Sequence, residues 1–448
     1  MEKDYRRHGL LLTQEGDRIL RTGSGDRKQM EHVFVYTPGS RWENIPGTDH
    51  RLAAALAIRV PVLWVDPPLP VHLAFRNGKC VLRGLTELSQ VAPEITRLRS
   101  LALPGFTRPI LARVTKHLLS RAVRAALRAM AATPVAVMVS SPITEFPSGV
   151  AGTRILFATD DWVSGAAMMG LSGPFVRRTL LRNLDRADIT AAVSPYLAES
   201  LRPGLPAAVV VLPNGCNLPE EGPPGDERSG NAVLVGQLNE RLDMGLLEAV
   251  TATGVPLLVI GPRTDRDPET GRRLDTFLAS ENVTWLGELP ATELGAHLAG
   301  AGVGLTPYAD NAFNRASFPL KTLDYLAAGV PVVATDLPAV SWLNTELVTV
   351  GSGSDEFARQ VQRVLATPRD PADDERRRHF AGRHTWEARA AQLLELIQDH
   401  SSERETQGGP GREQLIGGTA NERKQTNLDS ELNGPKGAQH DRNQSDEY

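Results

Sequence analysis

Lys321 and Asp324 stand three residues apart in the stretch FNRASFPLKTLDYLAAGVPVVATD, residues 313–336, and Lys321 is the single lysine between Lys116 and Lys424. Pro319 precedes the pair. A proline at the first helical positions costs nothing, because the N–H it lacks would be unbonded there anyway. The N–H groups of Leu320, Lys321 and Thr322 then point out of a helix start, which favours an anion. The Lys321 ammonium adds a movable point charge suited to a phosphate. Asp324 lies nearly one turn on and on the same side of the helix. Its two oxygens suit the paired hydroxyls of a ribose. Gly329 closes the helix and Pro331 leads into a strand. The same spacing also describes an ordinary helix with one solvated lysine.

Other polar side chains follow short apolar runs in the first half of the chain. The loop TPGSRWENIPGTDHR, after VFVY, offers Arg41, Trp42, Asp49 and His50. His50 titrates near neutrality and suits a general base for a hydroxyl; a helix start at Thr48–Asp49 with a surface histidine is the plainer reading. Asp160 and Asp161 follow the run TRILFA and precede a helix, so either is a candidate base or orienting group, with N-capping as the alternative.

Positioning these residues requires a framework, and the sequence supplies one. Apolar runs rich in β-branched residues (VFVY, VPVLWVD, PVAVMVSSP, TRILFATDD, ITAAVSP, AVVVLPNG) alternate with helical segments, which predicts parallel sheets covered on both faces. A second series begins at AVLVGQLN and runs through VPLLVIGP, VTWLGEL, VGLTPY and VPVVATD. The fold class expected is α/β, two doubly wound Rossmann-like domains facing each other across a cleft, with the site at the carboxyl ends of the strands. The boundaries read from composition are a polar lead-in at 1–30, a first domain at 31–214, a Gly/Pro-rich linker at 215–231, a second domain at 232–380, a closing helix at 381–400 and a disordered tail at 401–448.

Bulk properties exclude several functions. A formal charge of −4 over 448 residues argues against nucleic acid as a partner held by bulk charge. The two cysteines, Cys80 and Cys216, lack ligand-spaced neighbours, so neither a disulfide scaffold nor a zinc site is expected. No apolar run approaches the roughly 20 residues that span a bilayer, and the leucine run near the N-terminus is too short for a signal peptide. A cytoplasmic protein is expected. Residues 96–131 carry Arg97, Arg99, Arg113 and Lys116 among other cations and no acid. An amphipathic helix over 109–130 would suit an anionic membrane surface or a lipid-diphosphate acceptor, or be a domain helix with a solvated arginine face.

The pattern P-x-K-x-x-[DE]-Y-L-A-x-G-x-P-V-V-A-T, from Pro319 to Thr335, resembles the donor-binding signature of GT-B glycosyltransferases, specifically family-4-like enzymes of teichuronic-acid and other cell-surface polysaccharide synthesis. The resemblance extends over residues 32–397. It implies transfer of a hexose-type sugar from a nucleoside diphosphate, a UDP-sugar by default, to a glycan, lipid-linked or small-molecule hydroxyl. It implies retention, with the departing phosphate assisting deprotonation of the acceptor. If the enzyme inverts, Asp160, Asp161 or His50 must serve as base. The diphosphate would lie against Gly236, Arg241, Leu320, Lys321 and Thr322, the ribose on Asp324, and the sugar near Asn311, Asn314 and Ser317. Segments around Gly261 and Trp285 would flank the base. The resemblance implies no metal and no further cofactor, since such enzymes neutralise the leaving diphosphate with helix dipoles and basic side chains. One departure stands out: Ala316 occupies the place where many relatives carry a glutamate, so the donor sugar is not legible. A nucleotide-sugar epimerase of the same fold and a non-catalytic nucleotide-sugar-binding protein are the other readings.

Overall fold

Strands whose residues are apolar on both faces are expected to lie between two helical layers. In the computed structural model, which describes residues 31–70, 86–105, 108–205, 208–219 and 229–407, VFVY within β1 (Glu31–Pro38) and VLWV of β2 (Val62–Val65) are buried along their whole length. They join β3 (Leu69–Pro70), β4 (Thr86–Ala92), β5 (Ile95–Ala102), β6 (Ala132–Ser140), β7 (Thr153–Ala158), β8 (Ile189–Ala192) and β9 (Val210–Val211) in a sheet of order β3-β5-β2-β1-β6-β7-β8-β9, with β4 antiparallel on β5. A second sheet holds β10 (Ala232–Val235), β11 (Leu257–Ile260), β12 (Val283–Trp285), β13 (Val303–Thr306), β14 (Val332–Thr335) and β15 (Val348–Gly351) in the order β12-β11-β10-β13-β14-β15, parallel throughout.

Both sheets reverse direction beside their first strand, at β1/β6 and β10/β13. Loops leaving the carboxyl ends at such a reversal border the usual ligand position in doubly wound sheets. Around the second reversal the two loops are tied together: Asp243 N–H donates to Pro307 O, and Ala309 N–H donates to Arg241 O.

The structure adds strands that the sequence pattern did not reveal, namely β3, the β4–β5 hairpin and β15. Arg97 and Arg99 belong to β5. The lead-in 1–30, residues 220–228 of the linker and the tail beyond 407 lie outside the described residues. The closing helix, expected at 381–400, is observed as Trp386–Gln407, preceded by a separate helix at Pro371–Gly382; Ser401–Gln407, expected in the disordered tail, are therefore helical. That last helix starts in the unit that ends at Gln398. Its first turns return to the first sheet: Trp386 is 1% exposed and Gln392 Nε2 donates to Val211 O.

The helix bearing Lys321 and Asp324 spans Leu320–Ala327. It is fixed to the second sheet by Tyr325, which is fully buried. The Tyr325 hydroxyl accepts from Val235 N–H at 2.9 Å and lies 3.3 Å from the carbonyls of Val233 and Leu305. Its ring rests on Gly304, where a Cβ would fall 2.4 Å from the ring. Only glycine permits that approach. Gly304→Ala is expected to lower stability by about 1–3 kcal/mol through overpacking, read by chemical denaturation; an unchanged midpoint would contradict this packing.

Candidate functional site

The Leu320–Ala327 helix presents Lys321 and Asp324 toward the first half of the chain. Lys321 Nζ donates to Asp324 Oδ2 at 3.0 Å, and Arg51 Nη1, from the helix Thr48–Ala57, donates to Asp324 Oδ1 at 2.8 Å. The Asp324 side chain is only 11% exposed. Burial alone would raise its pKa, but the Lys321 and Arg51 charges and their hydrogen bonds outweigh burial and hold the carboxyl below its usual range. Of the three N–H groups expected to face an anion, Leu320 donates to Phe318 O and Thr322 to Pro319 O. Lys321 N–H is the one left over among the described residues, and Thr322 is buried with its hydroxyl unpartnered.

Arg241 lies between two aromatic rings, its guanidinium carbon 5.2 Å from the Tyr308 centroid and 5.1 Å from that of Phe313. Its Nε donates to Asn314 Oδ1 at 3.2 Å. The rings and the amide hold the stem and the Nε side, leaving the two Nη groups for an anion. Asn314, 2% exposed, also donates to the carbonyls of Arg241 and Ala309, and Asn311 caps the short helix Ala312–Ala316 by accepting from Asn314 N–H. Both asparagines thus shape the loop that holds Arg241.

Ser317 Oγ lies 2.8 Å from Asp160 Oδ1 and 3.0 Å from Phe313 O. Asp160 follows β7 of the first sheet, so this bond joins the two halves. Burial pushes the Asp160 carboxyl above its usual range against the Arg241 charge and the Ser317 hydrogen bond, and the nearby Asp49 and Asp161 charges add to the rise. The structure therefore brings Asp160, Ser317, Asn314 and Arg241 into one constellation across the halves.

Asp161 is differently employed. Its carboxylate accepts from Val163 N–H, Ser164 N–H and the Ser164 hydroxyl, closing the turn after β7. His50 is 7% exposed and packs on Trp42 and Trp64, with ring centroids 5.4 and 4.8 Å away; Nε2 lies 3.3 Å from Trp42 O. Burial lowers its pKa first, so the neutral imidazole is favoured. Asp49 neither caps the helix nor faces solvent: it accepts from Tyr36 Oη, Gly39 N–H and Ser140 Oγ, tying the loop after β1 to β6.

At the end of β10, Gly236 adopts φ +147°, a region that favours glycine, and a Cβ there would meet nothing within 4 Å. Gly261 is needed for close approach, since its Cβ would fall 1.8 Å from Gly236 O. Trp285 is not in the core. It is 43% exposed beside Leu286, with Nε1 donating to Gly261 O at 3.0 Å. Ala316 is 1% exposed, and its carbonyl accepts from Ser194 Oγ of the first half. Among the described residues, no group of three or more His, Cys, Asp or Glu side chains has an arrangement that would hold a metal ion, and no helix is long and apolar enough to cross a membrane.

Arg51 escaped the sequence reading. The local sequence carried only a faint signal: a cation in the first turn of a helix opposes the helix dipole, by about 1 kcal/mol at most when exposed, which does not name a partner.

Two doubly wound parallel sheets joined in this way define the GT-B fold. The sucrose-phosphate synthase from Thermosynechococcus elongatus superposes with a TM-score of 0.63 at 16% identity, covering 83% of this chain and 100% of that one. The trehalose-6-phosphate structure from E. coli bound with UDP-2-fluoro glucose gives 0.58 at 13% identity over 82% and 99% of the chains. An α,α-trehalose-phosphate synthase from Burkholderia xenovorans, in complex with glucose-6-phosphate, gives 0.56 at 14% identity over 82% and 100%. Residues 231–367, which contain Gly236, Arg241, Lys321 and Asp324, match the model of the family Glycosyl transferases group 1. The chain is also 26% identical over 245 residues to TuaH of Bacillus subtilis (strain 168), named as a teichuronic acid biosynthesis glycosyltransferase. That match covers 50% of this chain and 61% of the relative, so the chain spans about three-fifths of that relative's length.

The depressed Asp324 pKa fixes a sign. The pairing contributes stability that is whole above the unfolded aspartate pKa of about 3.9 and is lost as pH falls through the lower folded value. The stability gap between wild type and Asp324→Asn, measured by denaturant titration, is expected to shrink as pH falls through that acid window. A gap that stays constant would place the carboxylate outside this ion triad.

Proposed function

We propose that the protein is a glycosyltransferase that moves a hexose-type sugar from a nucleoside diphosphate, by default a UDP-sugar, to a hydroxyl acceptor. The observation that carries this reading is the helix start at Leu320, where the Lys321 ammonium and its unbonded N–H stand beside the paired Asp324 carboxylate. Lys321 Nζ and the Arg241 Nη groups would neutralise charge as it develops on the leaving diphosphate, the largest electrostatic task in such a transfer. Asp324 would accept from the ribose hydroxyls, Gly236 would let backbone approach the diphosphate, and the exposed Trp285–Leu286 pair offers a face for the base. These basic groups do the neutralising in this reading, with no metal and no further cofactor.

Retention with phosphate-assisted deprotonation of the acceptor is the stereochemistry proposed. If the product anomer is inverted, Asp160 is the carboxylate best suited as base, since Asp161 serves its turn and His50 is enclosed by indole rings. The relative named for teichuronic acid biosynthesis supports an envelope glycan or a lipid-linked intermediate as acceptor. Ile110, 76% exposed, and the half-exposed Val114 and Leu118 on the arginine-rich helix Pro109–Ala129 support peripheral contact with the inner face of a membrane.

Ala316 favours one alternative, a protein that binds nucleotide-sugars without transferring them. Incubation with UDP-, GDP- and dTDP-sugars separates the readings: release of nucleoside diphosphate indicates transfer, interconverted sugars an epimerase, and binding alone the non-catalytic protein. Lys321→Ala is expected to weaken nucleoside diphosphate binding and cut its release by about 10²-fold or more. Wild-type kinetics in that variant would refute the placement of the diphosphate.

A further inference from the structure

The helices Pro109–Ala129 and Gly173–Leu184 contain several arginines and neither contains an aspartate or glutamate. A cavity of about 230 Å³ opens between them at the carboxyl end of the first sheet, bounded by Pro68 after β2 and Ile143–Glu145 after β6. Arg113, Lys116, Arg178 and Arg182 line it around a single carboxylate, Glu145. Adjoining space of about 280 Å³ continues past Asp185 and Arg186.

Glu145 is 12% exposed and bridges two of these cations, Lys116 and Arg182. Burial would raise its pKa, but the hydrogen bonds and charges of those two cations outweigh it and hold the carboxyl below the usual range. One acid thus orients two cations. Arg113 and Arg178 make no hydrogen bond or ion pair with any described residue. Thr115, also in the lining, is 6% exposed, and its hydroxyl has no partner among the described residues. A buried hydroxyl without a partner is costly, and Arg113 and Arg178, though exposed, have no counterion among the described residues.

A bound polyanion would resolve both. We infer that this cavity is a second anion site, taking the phosphate monoester or diphosphate group of a ligand, separate from Lys321 and Arg241 and independent of the glycosyl-transfer reading. Arg113 and Arg178 are the binding cations, Lys116 and Arg182 are held in place by Glu145, and Thr115 supplies a hydroxyl. The volume exceeds several-fold the roughly 30 Å³ share of one water, which leaves room for such a group. The phosphate can belong to a soluble ester or to a lipid headgroup.

The test uses the full chain carrying Lys321→Ala, which weakens the proposed donor site, and calorimetric titration with inorganic pyrophosphate. Binding is expected to persist in this protein and to weaken at least about tenfold when Arg113→Ala and Arg178→Ala are added. Both arginines are exposed, so the fold is expected to survive, as checked by circular dichroism. Thr115→Val is expected to weaken binding by a smaller factor. Competition by glycerol phosphate identifies a soluble ester as the source. Competition only by phosphatidylcholine vesicles containing phosphatidic acid, and not phosphatidylglycerol, identifies a lipid monoester; either supports the site. Absence of pyrophosphate binding to Lys321→Ala, or binding indifferent to the two arginines, overturns it. Because the donor site is weakened throughout and the readout is dependence on Arg113 and Arg178, failure here leaves the Lys321 proposal untouched, and failure of that proposal leaves this one standing.

Discussion

A carboxylate that is 11% exposed must be paired, because removing one partner of a buried ion pair typically costs about 3–5 kcal/mol. Asp324 meets that requirement with one cation from its own helix and one from the other half of the chain, Lys321 and Arg51. The local geometry of a helix start and the arrangement of two sheets are thereby one problem. Neighbouring bonds follow the same line: Thr48 Oγ1 donates to Asn214 Oδ1, Asn214 Nδ2 to Phe318 O, Ser194 Oγ to Ala316 O, and Ser317 meets Asp160. The first steadies Asn214 within the first half, and the other three each join the first half to the loop and helix between Ala312 and Ala327. A diphosphate drawn to Lys321 would compete with Asp324 for that cation, so binding and the link between the halves would be coupled through their differential contacts.

The polar residues rest on apolar supports that restrict them. Tyr325 locks the Lys321 helix onto β10 and β13 through its hydroxyl and through ring contact with Gly304. Tyr308 and Phe313 clamp the Arg241 guanidinium, and Asn314 spends its amide on the same loop. Pre-placed cations of this kind need little reorganisation as charge develops, which is where electrostatic stabilisation gains its effect.

Local features of the site were legible in the sequence, and long-range ones were not. Pro319, Lys321, Asp324 and Gly329 announced a helix with a cation and an acid on one side, and the helix Leu320–Ala327 is there. Alternating apolar runs announced both parallel sheets. The β4–β5 hairpin escaped because TELSQVA and ITRLRSLA mix in polar and charged residues, the buried Arg97 and Ser100 among them, and lack a long apolar run. Arg51 escaped because its partner lies 273 residues away. His50 looked like a base because its intrinsic pKa is near neutral; Trp42 and Trp64, which enclose it, are brought there by the fold. The basic stretch near residue 113 was visible as charge, whereas the cavity needs a second helix from residues 173–184 to exist.

The central claim is that the Lys321–Asp324 helix start receives a nucleoside diphosphate. A crystal structure with UDP bound tests it most directly. The account predicts a phosphate within hydrogen-bond distance of Lys321 Nζ and N–H, with an Arg241 Nη group close to it and ribose hydroxyls on Asp324. A structure in which UDP lies elsewhere, while Arg51, Asp324 and Lys321 keep their mutual pairing, would contradict it.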